Sequence, residues 1–461
     1  MAPSCRHRRT GDPSLRPRQL LDRGSSANPL PEGTLSVGAG LLILGLTAYV
    51  FFVVAARALG PEKYSSLSVL WTLVFFAAPG FLFPLEQEVS RAVSARKALG
   101  IGGGPVVKRA AILGGGLALG LAVITLALSG PILGHLFDGQ TLLLVGLVIS
   151  LPTYAALHLT RGALSGTGRF AAYGTLLAGD GIIRIAAAVV FSVIGISAPG
   201  PYGLLIAGAS AAILVVVLSR QRKLLEPGPE APWSELSEAL GWLLLGSVLA
   251  QAFVNASVPL VKVLADEGED AIAGQFQAGL IITRVPLFLF QAVQASLLPK
   301  LAGYAASGQL IDFRNGLKRL IYAVIAIGVL ATIGAFAIGP FVLRLAFGSE
   351  FDKLGNADLG FLSLAGACFM LSTALSQALI ALRAYSKVAA GWAIALVVFG
   401  LGTWLGSGLL TRVELGLVAG SAMSVLAMGV LLAQQMRKGP VPATAEPLYQ
   451  AISPEHEIID P

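Results

Sequence analysis

Charge is scarce in this 461-residue chain: Asp, Glu, Lys and Arg together make up 12% of it, about half of what a soluble domain carries. Cysteine is rarer still, with only Cys5 and Cys368. They lie far apart in the chain, so neither a disulfide framework nor a thiolate metal site is readable. The four histidines (His7, His135, His158 and His456) are scattered without metal-ligand spacing. No G-x-x-x-x-G-K-S/T loop occurs, which leaves no P-loop to bind a nucleotide. No cofactor is expected. An apolar stretch does not follow the basic start soon enough for a secretory signal. Residues 1–33 stay polar instead, with Arg6, Arg8, Arg9, Arg16, Arg18 and Arg23, and read as a disordered basic tail kept in the cytoplasm.

What the chain has is apolar length. Hydrophobic residues reach 55% and mean hydropathy is +0.78. Glycine, at 55 residues, suits close packing of membrane helices. A spanning helix needs about 20 apolar residues. Twelve windows meet that need, near 35–58, 65–84, 109–128, 141–160, 173–195, 203–219, 239–261, 272–296, 320–340, 358–382, 388–407 and 414–435. With the N-terminus inside, 24 of the 32 Lys and Arg fall in the tails and inner loops, six fall at the outer side, and Arg184 and Arg284 lie within spans. That alternation obeys the positive-inside rule and fixes the count at twelve. Both termini are expected in the cytoplasm. Arginine outnumbers lysine 22 to 10 and alanine is abundant, which hints at a GC-rich bacterium and hence at its plasma membrane.

The spans repeat. "PGFLF" at 79–83 matches "PLFLF" at 286–290, an offset of 207, and Gln87 and Gln294 keep the register. "GALSGTGRFAAYG" at 162–174 resembles "IALRAYSKVAAGW" at 380–392, an offset of 218. The second span thus corresponds to the eighth and the fourth to the tenth. The expected organisation is a first six-helix bundle over 34–219, a cytoplasmic linker over 220–238, a second bundle over 239–438 and a disordered tail over 439–461. This is an all-α polytopic membrane protein built on a parallel internal repeat. Such repeats place a transporter's site between the halves, at the midplane.

Three stretches carry a family resemblance: "LGPEKY" at 59–64, "PGFLFPLEQEVSRAVSARKAL" at 79–99 and "AGQFQAGLIITRVPLFLFQAVQASLLPKLAG" at 273–303. They resemble the polysaccharide-export branch of the multidrug/oligosaccharidyl-lipid/polysaccharide (MOP) exporter superfamily. That branch contains the O-antigen-type flippases and is related to the lipid II flippase and the multidrug-and-toxin extruders (MATE). The resemblance spans 34–438. It implies a MATE-like fold and a cavity arginine on the eighth span that holds a lipid pyrophosphate. Arg284 lies on that span. The family's arginines on the first two spans have no match, since Arg57 sits at an outer end and Arg91 at an inner end. Twelve spans lack the two extra helices of the lipid II flippase.

The residues themselves suggest where chemistry sits. Arg284 is a permanent cation two residues before Pro286, near the middle of its span. A cation at the bilayer centre costs about 2.5–3.5 kcal/mol on the mildest scale. The repeat keeps the proline, as Pro79, but has Ala77 where Arg284 stands, so the fold does not require the arginine. An anionic ligand would offset its cost; bracing of the proline kink is the alternative. Asp180 and Arg184 stand at i, i+4, with the acid first, the favourable order. They read either as a self-neutralised pair or as a pair that opens on binding phosphate or a proton, with Asp180 the coupling residue. Gln251, Asn255 and Lys262 share a stripe through spacings of four and seven, fitting sugar hydroxyls or interhelical hydrogen bonds. Glu86, Glu88 and Arg91 fall where the second span is expected to leave the membrane, as a solvated turn or a gate. Pro79 and Pro286 are candidate hinges.

The leading expectation is a flippase that carries a polyprenyl-pyrophosphate-linked oligosaccharide from the inner to the outer leaflet. Its partners would be the lipid-linked anionic glycan and the bilayer, with a polysaccharide polymerase or glycosyltransferases as candidate neighbours. No nucleic acid is expected, and a monomer would suffice. A MATE-type exporter of a drug or organic-anion metabolite is the alternative. A polytopic glycosyltransferase or ligase is the third reading, and it needs a catalytic constellation that the short outer loops do not offer. The chain is not expected to be an enzyme.

Overall fold

The computed structural model describes residues 33–221, 224–236, 239–269, 271–287, 290, 301, 303–305 and 307–438; the tails read in the sequence lie outside this set. Among the described residues there is no strand. In the first half the helices are α1 (Thr34–Ala77), α2 (Phe83–Ala98), α3 (Gly104–Ala127), α4 (Thr141–Gly166), α5 (Phe170–Val193) and α6 (Pro199–Arg220). In the second they are α7 (Ala239–Asn255), α8 (Ser257–Leu264), α9 (Ile272–Thr283), α10 (Leu310–Phe347), α11 (Asn356–Ala381), α12 (Tyr385–Leu405) and α13 (Leu409–Lys438).

Among the described residues, nine helical stretches are long and apolar enough to cross a membrane, and the bent pair α7–α8 makes a tenth. The first stretch, Leu35–Ala98, holds two passes. Gly60 interrupts it with φ +72° and ψ +166°, a conformation that needs glycine, and Pro61 follows. The chain folds back there, and Phe52 closes edge-on against Trp71 with ring centroids 4.5 Å apart. That gives eleven crossings. The twelfth expected span begins as α9, and most of its C-terminal part lies outside the described residues.

Hydrogen bonds and contacts fix the directions. Glu86 meets His158 and Ser94 meets Gly166, both 72 residues apart, so α2 and α4 run side by side in the same sense. Small residues bring α1 and α5 together: a Cβ on Gly174 would lie 2.3 Å from the Ser36 carbonyl, and one on Gly181 would strike Thr47. The connections at 99–103 and 167–169 and the stretch 224–236 therefore share one end, where Arg91, Arg96, Lys97 and Arg169 also lie. Gly60 and the 128–140 and 194–198 connections share the far end. In the second half, Phe253, Phe369, Trp392 and Phe399 make the aromatic centre.

Two expectations shift. The expected link at 85–108 is helix as far as Ala98. The repeat register also moves. After α4, the bonds Thr167 to Ala163, Gly168 to Ser165 and Arg169 to Leu164 close the helix. After α11, Leu382 to Ala378, Arg383 to Ile380 and Ala384 to Leu379 form the same turn, now at an offset of 215. Gly168 and Arg383 both adopt positive φ, +77° and +59°. The sequence alignment at 218 matched the basic residues after the turn; the backbone matches the turn itself. Asp180 and Arg184 then correspond to Ala395 and Phe399, which are uncharged.

Candidate functional site

Arg284 sits where α9 ends, in a turn ahead of a short helical stretch over 285–287 that includes Pro286. Across from it, the α7–α8 pair bends by 47° between Asn255 and Ser257. Pro259 has no N–H to return to the carbonyl four residues back, so the break leaves α7 carbonyls to be satisfied otherwise. Beside the break, Arg284 Nη2 donates at 2.6 Å to the Val254 carbonyl, one residue before the Asn255 carbonyl that Pro259 frees. The charge also interacts with Tyr49, which belongs to α1 in the other half. Asn255 turns its Nδ2 onto both the backbone carbonyl and the Oε1 of Gln251, each at 3.0 Å.

Gln251 lies against Gly80 in a π turn, Ala78–Leu82, that separates α1 from α2. Pro79 is in that turn, and its carbonyl accepts from Ser247 Oγ at 3.0 Å. A proline that removes one helical bond is a common origin of such a bulge. Arg284, Tyr49, Gln251, Asn255 and the π turn thus converge on the seam between the halves. Both halves interrupt a helix at the repeated proline.

The remaining candidates lie elsewhere. Asp180 and Arg184 are 5% and 1% exposed, inside the first half. Arg184 Nη2 reaches Asp180 at 2.5 Å, Ser210 Oγ donates to the same carboxylate at 2.6 Å, and the guanidinium lies 5.3 Å from the Trp71 ring centre. Lys262 is on α8, beyond the bend, so the stripe it shares in sequence with Gln251 and Asn255 is interrupted. It pairs with Asp138 of the first half at 3.0 Å.

Glu86 and Glu88 are buried on the continuous α2, not in a solvated turn. Burial is tolerated because donors surround them. Glu86 accepts from Tyr173 at 2.8 Å, lies 2.6 Å from His158 Nδ1 and 3.5 Å from Arg161 Nε. Glu88 is ion-paired with Arg91, whose Nη2 also donates to the Glu235 carbonyl at 2.5 Å.

His158, Arg161 and Tyr173 escaped the sequence reading. The available signal was His158 and Arg161 at i, i+3 in an apolar span, one helical face. Arg96 also escaped. It is 1% exposed and gives a two-pronged bond to Glu235, at 2.8 and 2.7 Å, while its other contacts hold the carbonyls of Gly102, Pro229 and Glu230. No local spacing announces a pair 139 residues apart.

The fold is that of the MATE transporters. One matching structure is the inward-facing conformation of a multidrug resistance MATE family transporter of the MOP superfamily, with TM-score 0.70 and 13% identity, covering 88% of this chain and 99% of that one. The outward-facing conformation of a multidrug resistance MATE family transporter matches with TM-score 0.64, 11% identity, and 88% and 96% coverage. The Vibrio cholerae MATE transporter VcmN matches at 0.64, 16% identity, and 88% and 96% coverage.

In sequence, the chain is similar to the uncharacterized proteins Rv3630 and Rv1510 of Mycobacterium tuberculosis. The first is 28% identical over 419 residues, 87% of this chain and 91% of the relative. The second is 27% identical over 423 residues, 88% and 94%. No family model matches the chain.

Proposed function

We propose that this protein is an alternating-access exporter that flips a polyprenyl-pyrophosphate-linked oligosaccharide from the inner to the outer leaflet of a bacterial plasma membrane, with both termini cytoplasmic. The observation that carries the reading is Arg284: a permanent cation at a helix break, donating to the Val254 carbonyl of α7, on the seam of a two-half transporter fold. A guanidinium can hold a phosphate by two parallel bonds. The amides of Gln251 and Asn255, near the same seam, suit sugar hydroxyls. Gathering of basic residues at one end supports the orientation. Greater similarity to an inward-facing transporter than to an outward-facing one fits a state open to the cytoplasm.

The second reading is export of a small organic anion. It rests on the same cation and on the multidrug transporters that share the fold. Arg284→Ala and Arg284→Lys distinguish the roles. Alanine also strips the Val254 carbonyl of its donor, which costs about 1–3 kcal/mol, so activity is expressed per folded molecule. In proteoliposomes holding a lipid-linked oligosaccharide, we expect alanine to abolish flipping and lysine to keep part of it. Full flipping per folded molecule in Arg284→Ala removes Arg284 from the site. Absence of flipping by the wild type, with export of a small anion, moves the assignment to the second reading.

A further inference from the structure

We propose that the far ends of the two halves form a separable gate, latched by the Asp138–Lys262 pair. Four observations meet there. The pair joins the connection after α3 to α8, one half to the other, at 3.0 Å. Lys262 is buried, its side chain 4% exposed, whereas Asp138 is 41% exposed. Water can therefore take over the carboxylate when the halves part, and only the lysine loses its solvation on closing.

Asp138 is also held in place. Its φ is +50° and Gly139 follows at +74°, a tight left-handed corner that an L residue enters at some cost. Ser66 Oγ donates to its Oδ2 at 3.0 Å, fixing the carboxylate toward the other half. Apart from Arg383, Asp138 is the only non-glycine with positive φ among the described residues.

The second crossing is built alike. Arg57, on α1, donates to the carbonyls of Leu345 and Ala346 at 2.8 and 2.9 Å. These belong to the last turn of α10, whose C-terminal carbonyls carry negative charge. Arg57 thus caps a helix of the opposite half. Both fastenings are polar, and beside them the buried rings of Tyr64 and Phe351 meet edge-on across the halves, centroids 5.8 Å apart, an apolar contact that parts with the latch. Lys262, moreover, is on α8, which is already bent away from α7, so α8 can swing with the gate. Arg57 and Glu350 stand at the neighbouring crossing, Glu350 against Gly60.

The inference rests on the alternating-access reading, and its test is made without substrate so that the two fail separately. Spin labels go on Val193 and Leu405, exposed at the far ends of the two halves, with Cys5 and Cys368 changed to serine. Distances are measured in nanodiscs for the wild type, Asp138→Asn, Lys262→Met, and the exchanged pair Asp138→Lys with Lys262→Asp. We expect one short separation in the wild type. Either single change shifts the distribution to longer separations, and the exchange returns it. Lys262→Met leaves no buried charge stranded, so it stays informative where Asp138→Asn folds poorly. Unchanged distances in Lys262→Met, or an exchanged pair as open as the singles, overturn the latch. A latch that behaves as expected in a protein that flips no glycan and exports no anion refutes the transport reading and leaves the gate.

Discussion

Arg184 and Arg96 are both 1% exposed, and each is neutralised by a carboxylate from a different distance in sequence: Asp180 one turn away, Glu235 on the linker. Removing one member of such a pair leaves a stranded charge, at a cost of about 3–5 kcal/mol. Removing both can be nearly neutral. We therefore expect Asp180→Asn and Arg184→Gln each to lower the yield of folded protein after heating, measured by fluorescence-detected gel filtration. The double variant should recover most of the loss. Additive losses would show that the two side chains act independently. Local spacing made this pair legible in the sequence. The Glu86 group was not, because Glu86, His158 and Tyr173 come from three helices and only the fold brings them together.

At the scale of helices and turns, the repeat makes its own prediction. Gly168 and Arg383 occupy the same position in the same turn, and only glycine reaches positive φ without strain. The Arg383 side chain is exposed. Arg383→Gly is thus expected to leave the protein as stable or to stabilise it by up to about 1 kcal/mol, read as a higher unfolding temperature. A fall in stability would mean that the arginine makes contacts outweighing its backbone strain. The twelve apolar windows were readable because lipid demands about 20 apolar residues of every crossing. The helical continuation to Ala98 was not readable. Its sequence, with Glu86, Glu88, Arg91, Arg96 and Lys97, looks like a loop until the partners that bury it are known.

For the whole molecule, the parallel repeat requires that the connections 265–271 and 303–309 face opposite sides of the membrane. Single cysteines at Glu267 and Ser307, both exposed, should react with an impermeant thiol reagent from opposite faces of the cell; Glu267 is used because neighbouring Gly268 has φ +91°. Labelling from one face would contradict the crossing between them. The seam itself was beyond the sequence, since Asp138 and Lys262 are 124 residues apart and no periodicity connects them. The Arg96 clasp has a further consequence, for continuity of the chain. Residues 226–236 are joined to the first half through the peptide bonds after α6 and again through a clasp of Arg96, Arg91 and the Gly104 N–H on Glu235, Pro229, Glu230 and Glu226. A nick between Gln221 and Leu224 would leave this strap attached by the clasp, so the two fragments would still travel together. A nick after Leu236 cuts beyond the clasp and leaves the halves joined by their packed seam, apolar at Tyr64–Phe351 and polar at Asp138–Lys262. The protein is tied on one side of that strap and held only by the packed seam on the other, which makes the short run before Ala239 the point where its two halves could be made as separate polypeptides.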